Sequence, residues 1–157
     1  EKLGIPFIEL NQLIEIEYGG SLDDLFSLAG QPAYRRYESR CLDRALFENA
    51  NAVIATGGSI VANERAFATL LERTHTVWIQ ASPEEHMARV LAQGDLRPMA
   101  DNREAMRDLR QILAAREQEY GRAEAQLDTS GCSVAQSAGE LVKLAKGLLN
   151  NSSAVIK

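Results

Sequence analysis

Short apolar runs without polar alternation are separated, along the whole chain, by stretches with helical spacing. Ala52-Val53-Ile54-Ala55 and Thr76-Val77-Trp78-Ile79-Gln80 are the clearest runs, preceded by Phe7-Ile8-Glu9-Leu10 and followed by Ala125-Gln126-Leu127-Asp128-Thr129. A strand covered on both faces has no solvent side to alternate toward, which is the situation in a parallel sheet under helices. The segments between the runs carry helix signals. Ser21 precedes residues 22–28 as an N-cap with Asp23 and Asp24 in the first turn. Pro32 suits the first turn of a long helix over 33–49, where Tyr34, Tyr37, Cys41, Leu42, Ala45 and Leu46 form one stripe. Ser82-Pro83-Glu84-Glu85 opens another helix, and further helices are expected over 11–18, 63–73, 103–124 and 133–149. Strand and helix alternating in this way predict a three-layer α/β domain, a parallel sheet with helices on both faces. Residues 1–149 read as one such domain and 150–157 as a flexible tail.

The bulk chemistry removes several function classes. A net charge of −5 and a pI near 5.1 disfavour direct contact with nucleic acid or with an anionic membrane surface. No apolar run is long enough to span a bilayer, so no membrane partner and a cytoplasmic location are expected. Cys41 and Cys132 lie far apart without metal-like spacing and read as reduced thiols. His75 and His86 have no cysteine or second histidine beside them and read as surface or interface residues before metal ligands. The chain opens on Glu1 in place of a methionine, which reads as a protein whose earlier part lies upstream.

Cations punctuate this pattern. Arg35 and Arg36 stand in Ala33-Tyr34-Arg35-Arg36-Tyr37-Glu38, Arg97 in Asp95-Leu96-Arg97-Pro98-Met99, and Arg116 in Arg116-Glu117-Gln118-Glu119-Tyr120. The run at 52–55 leads into Thr56-Gly57-Gly58, at the strand end where open α/β sheets bind ligands. Arginine makes planar two-point contacts with carboxylate or phosphate, so this series suits a pocket for an anionic ligand. Each residue also has a plainer reading. Arg35 and Arg36 equally suit a solvated helix face paired with Glu38 and Asp43. Arg97 equally suits an exposed loop neutralised by Asp95 and Asp101, and Arg116 lies among glutamates and arginines of a long helix.

Taken in order, these motifs resemble the shikimate kinase family of phosphate-loop phosphotransferases over about residues 3–149. Phe7-Ile8-Glu9-Leu10-Asn11 stands where that family has Phe-x-Asp-x-Asp, and Tyr34-Arg35-Arg36-Tyr37-Glu38 matches its Phe-Arg-x-x-Glu. Gly57-Gly58-Ser59 matches its triple-glycine turn, Arg97-Pro98-Met99 its lid, and Arg116 with Tyr120 its Arg-x-x-x-Tyr. The resemblance implies that Arg35 and Arg116 hold a ligand carboxylate and that Gly57 and Gly58 let backbone amides come close. It implies that Arg97 closes onto phosphate and that Glu9 stands near a metal ion if Mg-nucleotide binds. Asn11 falls in the ligand site where the family has its second acidic residue, and asparagine accepts no proton at neutral pH. The loop Gly-x-x-x-x-Gly-Lys-Ser/Thr does not occur in these 157 residues, and Ser59 replaces the third glycine.

The stretch from Ala81-Ser82-Pro83-Glu84-Glu85-His86 through Asp108-Leu109-Arg110 is similar to a narrower group. These are the helix-turn-helix (XRE-type) regulators of benzoyl-CoA catabolism, whose C-terminal half is shikimate-kinase-like. That resemblance leads to the expectation of a non-enzymatic, ligand-sensing domain that binds an aromatic acyl-CoA near Arg35, Gly57, Gly58 and Arg116. It would require no cofactor and would reach operator DNA only through an upstream helix-turn-helix domain. The family's first strand and phosphate loop are missing from these residues, and bare apolar strand edges rarely stay uncovered, so the gap is expected to be filled by a partner chain, as in a homodimer, or by rearranged packing. The alternatives are a shikimate kinase, for which ATP and Mg2+ would be needed, and a catalytically dead dimerisation domain.

Overall fold

The computed structural model of the chain describes residues 3–92 and 102–153. It forms two compact units, Glu1–Thr74 and His75–Lys157. Each is built around its own pair of parallel strands.

In the first unit, strand β1 (Phe7–Glu9) pairs with β2 (Val53–Ala55), with Phe7 opposite Val53 and Glu9 opposite Ala55. Parallel pairing demands a long crossover, and the chain between the strands supplies it as helices. Helix α1 (Leu10–Tyr18) follows β1 directly and ends at Gly19, whose φ of 78° is the left-handed conformation of a helix stop. Ser21 then caps the short helix α2 (Leu22–Asp24) by a reciprocal arrangement: its hydroxyl accepts from the Asp24 backbone N–H, and the Asp24 carboxylate accepts from the Ser21 backbone N–H. The expected helix over 22–28 widens into a π-turn at Leu25–Ala29, and Gly30, at φ 77°, redirects the chain. Helix α3 (Gly30–Glu48) begins there and packs on α1.

Leu10, Ile14, Leu25, Cys41 and Leu42 are fully buried, so the α1–α3 seam is the centre of this unit. Phe26 stacks on Tyr34 at 4.6 Å between ring centres, and Tyr18 meets Tyr37 edge-on at 5.8 Å. After β2 a 3-10 turn (Gly58–Ala62) leads into α4 (Glu64–Arg73), which is capped by Asn63 and packs on that turn and on α3.

In the second unit, β3 (Val77–Gln80) pairs in parallel with β4 (Ala125–Asp128), with Val77 opposite Ala125 and Gln80 opposite Asp128. Helices α5 (Pro83–Ala92) and α6 (Asn102–Tyr120) lie in the crossover and pack on each other. Ser82 caps α5 as its sequence predicts, its hydroxyl accepting from the Glu85 backbone N–H. Helix α6 stops at Tyr120, ahead of the expected 124, because a turn at 121–124 feeds β4. Helix α7 (Val134–Ser153) runs past the expected end at Leu149. Trp78 is half-buried and stacks on Tyr120 at 5.3 Å. Met87 and Thr129 are the buried residues of this unit among those described. No helix among the described residues is long and apolar enough to cross a membrane.

Candidate functional site

The first unit gathers a polar cluster around Glu38, whose side chain is buried in the middle of α3. A buried carboxylate is stable only when its oxygens are occupied by donors. Three side chains do this. Arg35 Nη1 donates to Oε2 at 2.8 Å, Asn63 Nδ2 donates to Oε2 at 2.9 Å, and the Tyr34 hydroxyl reaches Oε1 at 3.1 Å. Arg35, Tyr34 and Glu38 share one face of α3 because residues three and four apart are neighbours on a helix. Asn63 arrives from the start of α4, where its Oδ1 caps the helix by accepting from the Ala66 N–H at 3.4 Å. Its Nδ2 also donates to the Arg35 backbone carbonyl at 3.0 Å, so one side chain ties α4 to α3 and to the carboxylate.

Arg35 is thereby fixed, and not by solvent-exposed pairing. Its Nη1 makes both of its side-chain hydrogen bonds, to Glu38 and to Ser59 Oγ at 3.2 Å. That leaves Nη2 and Nε to meet an incoming carboxylate or phosphate. The surface ion-pair reading of Arg35 and Glu38 is therefore overturned: the glutamate side is 1% exposed. Arg36, one step further round the helix, is exposed.

Asn11 and the glycine turn border this arginine. Asn11 lies in the first turn of α1, inside the helix expected over 11–18, which begins one residue earlier at Leu10. Its Oδ1 is 3.2 Å from the Tyr34 hydroxyl. A Cβ placed on Gly57 would stand 3.7 Å from both amide atoms of Asn11 and 3.9 Å from the Tyr34 oxygen. Gly57 therefore faces Asn11 and Tyr34 with backbone alone. Gly58 is exposed and opens the 3-10 turn, and Ser59 follows as the acceptor of the Arg35 bond. Burial and the neighbouring Glu38 charge push the Tyr34 phenol up from 10.0 to about 12; bonding to Ser59 and the charge of Arg35 oppose this. The phenol is a neutral hydrogen-bonding group across the working pH range.

The remaining residues singled out by sequence are placed less closely. Glu9 ends β1 with an exposed carboxylate that makes no hydrogen bond among the described residues. Arg116 is half-buried on α6 in the second unit, again without an ion pair or hydrogen bond among the described residues. Arg97 lies outside the described residues. The bonds of Ser59 to Arg35 and of Asn63 to Glu38 and the Arg35 carbonyl are not legible in the sequence. The Asn63-Glu64 step is a legible helix start, but nothing local to it announces a bond to a glutamate on another helix.

What this cluster can do chemically follows from its groups. A fixed guanidinium binds a carboxylate, and an amide beside a bare glycine backbone meets hydroxyls. No group of three or more His, Cys, Asp or Glu positioned to hold a metal occurs among the described residues. A phosphate cradle for a nucleotide is not supplied by these residues, since no Gly-x-x-x-x-Gly-Lys-Ser/Thr is present and Gly57-Gly58-Ser59 has no lysine beside it. Their donor set does not fit a triphosphate.

The family model for shikimate kinase matches residues 1–146. A shikimate kinase of Symbiobacterium thermophilum is 33% identical over 78% of the chain and 71% of its own length. One of Caulobacter vibrioides is 32% identical over 81% of the chain, which spans 62% of that relative. The fold is shared with the solved shikimate kinase of Acinetobacter baumannii in complex with shikimate, at a TM-score of 0.79 and 20% identity, covering 99% of this chain and 83% of that one. These findings overturn the expectation of an aromatic acyl-CoA sensor serving a DNA-binding regulator. The motifs that suggested it sit in a chain whose family and relatives are kinases, and nothing in them points to transcription, benzoyl-CoA or operator DNA.

Proposed function

Because the chain belongs to the shikimate kinase family, we propose that it binds shikimate as the phosphoryl acceptor in ATP-dependent phosphorylation of that acid. The observation that carries the reading is Arg35, held on buried Glu38 through Nη1 with Nη2 and Nε left over, beside Asn11 and Gly57. Shikimate has one carboxylate and several ring hydroxyls. Arg35 takes the carboxylate, and Asn11 meets the hydroxyls next to the Gly57-Gly58 backbone. Asn11 orients a hydroxyl without removing its proton. Phosphoryl transfer relies chiefly on positioning and charge stabilisation, so the acceptor side of the reaction is compatible with an amide there.

ATP with Mg2+ is the family's phosphoryl source, and Glu9 is the residue of this chain suited to the metal. The described residues supply no cradle for the nucleotide's phosphates. ATP as co-substrate goes with a cytoplasmic protein.

The test is titration calorimetry of the chain with shikimate. Saturable binding that is abolished by R35A supports the reading. Absence of heat with the unaltered chain, or binding undisturbed by R35A, overturns it.

A further inference from the structure

The Tyr34 hydroxyl has one proton and stands within hydrogen-bond distance of two carbonyl-type oxygens, Glu38 Oε1 at 3.1 Å and Asn11 Oδ1 at 3.2 Å. One proton cannot serve both. Glu38 is the stronger claimant, because a bond to a carboxylate is roughly twice as strong as one between neutral groups. It is also buried, and Arg35 and Asn63 both bond its other oxygen, so Oε1 has no other donor among the described residues. With the phenolic proton committed to Glu38, two oxygens would face each other across the Asn11 contact. A half-turn of the Asn11 amide removes that conflict, since its oxygen and nitrogen exchange places without disturbing the heavy-atom positions. Gly57 leaves room for it, its hypothetical Cβ being equally far from both amide atoms.

We propose that Tyr34 is a positioning residue for the hydroxyl end of the ligand: by donating to Glu38 it obliges Asn11 to turn Nδ2 toward the phenol and Oδ1 toward the ligand. The inference rests on the shikimate reading for the identity of that ligand. An asparagine amide is symmetric in shape and ambiguous in chemistry, presenting either a donor or an acceptor to its neighbour. Tyr34 resolves the ambiguity in favour of an acceptor, so Asn11 offers a ring hydroxyl a neutral oxygen that its proton can reach. Phenylalanine at position 34 would leave the amide free to present either atom. The consequence is a chain of dependence, Glu38 to Tyr34 to Asn11 to ligand hydroxyl, that joins the carboxylate end of the site to its hydroxyl end.

The test compares the unaltered chain with Y34F, which removes only the oxygen, against two ligands. Shikimate carries carboxylate and hydroxyls; cyclohexenecarboxylate carries the carboxylate alone. Y34F is expected to weaken shikimate about fivefold while leaving cyclohexenecarboxylate within about twofold, the size of one lost neutral hydrogen bond. Equal weakening of both ligands, or of neither, overturns the proposal. A second measurement needs no ligand. In the unaltered chain one Asn11 Nδ2 proton is expected to exchange slowly with solvent by nuclear magnetic resonance, and in Y34F both exchange fast. Identical exchange in the two proteins overturns the proposal. If the unaltered chain binds no shikimate, the functional reading fails while the exchange measurement still decides the role of Tyr34.

Discussion

Glu38 holds Arg35 at 2.8 Å across one turn of α3, with the carboxylate buried and the guanidinium only partly so. The pair therefore contributes to stability through its buried partner. Removing the carboxylate leaves Arg35, Tyr34 and Asn63 with donors aimed at a void. E38A is expected to lower unfolding free energy by about 3–5 kcal/mol, the usual cost of stranding one partner of a buried pair. E38Q keeps the shape and an acceptor oxygen and should lose less. Urea denaturation of both variants, followed by circular dichroism, checks the order; equal stability of E38A and the parent would refute it.

Tyr34 gives the pH signature of the cluster. Burial, then the Glu38 charge, raise its phenol from 10.0 to about 12, so the folded chain holds that proton more tightly than the unfolded chain does. The stabilisation linked to this group is whole below pH 10 and is lost as pH rises toward 12. An ultraviolet absorbance titration should therefore show one of the four tyrosines ionising late, or together with unfolding. Y34F should delete that late component and no other.

Gly57 separates folding from binding. Its φ of −66° is open to any residue, and an added Cβ would make only ordinary contacts, 3.7 Å to Asn11 and 3.9 Å to Tyr34. G57A is expected to leave stability within about 0.5 kcal/mol, as for a substitution that disturbs no packing. It should weaken shikimate binding, because the methyl occupies the space in front of the Asn11 amide. Thermal melting and calorimetry on the same preparation would show the split; a large fall in melting temperature would contradict it.

Gly131 is the opposite case. It has room on every side but a φ of +69°, and its N–H donates to Glu85 Oε1 at 2.8 Å. That bond is the main reason the Glu85 carboxyl is held below its usual value. G131A should cost about 1–2 kcal/mol through backbone strain alone. The comparison variant G139A, in the middle of α7 with open space around it, should be neutral or stabilising.

The alternation of apolar runs with helical spacing is enough to place each strand among the described residues within a residue or two, because parallel strands and capped helices are written locally. The Ser82 and Ser21 caps and the Gly19 stop are examples. The site was less legible. Arg35 and Gly57 stood out by type, yet Glu38 read as half of a surface ion pair, since a helix sequence does not say which charged face is covered. Asn63 read only as a helix start. Its bonds to Glu38 and to the Arg35 carbonyl span residues distant in sequence, and only the packing of α4 on α3 creates them. The π-turn at Leu25–Ala29 has no composition signal of its own beyond the glycine that follows it.

The parallel pairing in each unit has a kinetic consequence. Phe7 must find Val53, and Val77 must find Ala125, across a whole crossover of helices. Such closures are entropically expensive before any ladder bond forms, and they slow a chain relative to helical bundles of equal size. Helices α1 and α3, which meet without help from the strands, are the natural early structure of the first unit. The strands are expected to zip last, so mutations at the α1–α3 seam should slow refolding, whereas mutations in β1 or β2 should chiefly hasten unfolding, an order that refolding and unfolding rates of the two sets of variants would check. The binding cluster hangs from α3 and α1 and from the turn after β2, so on this order Arg35 and Tyr34 would be in place before Gly57 joins them.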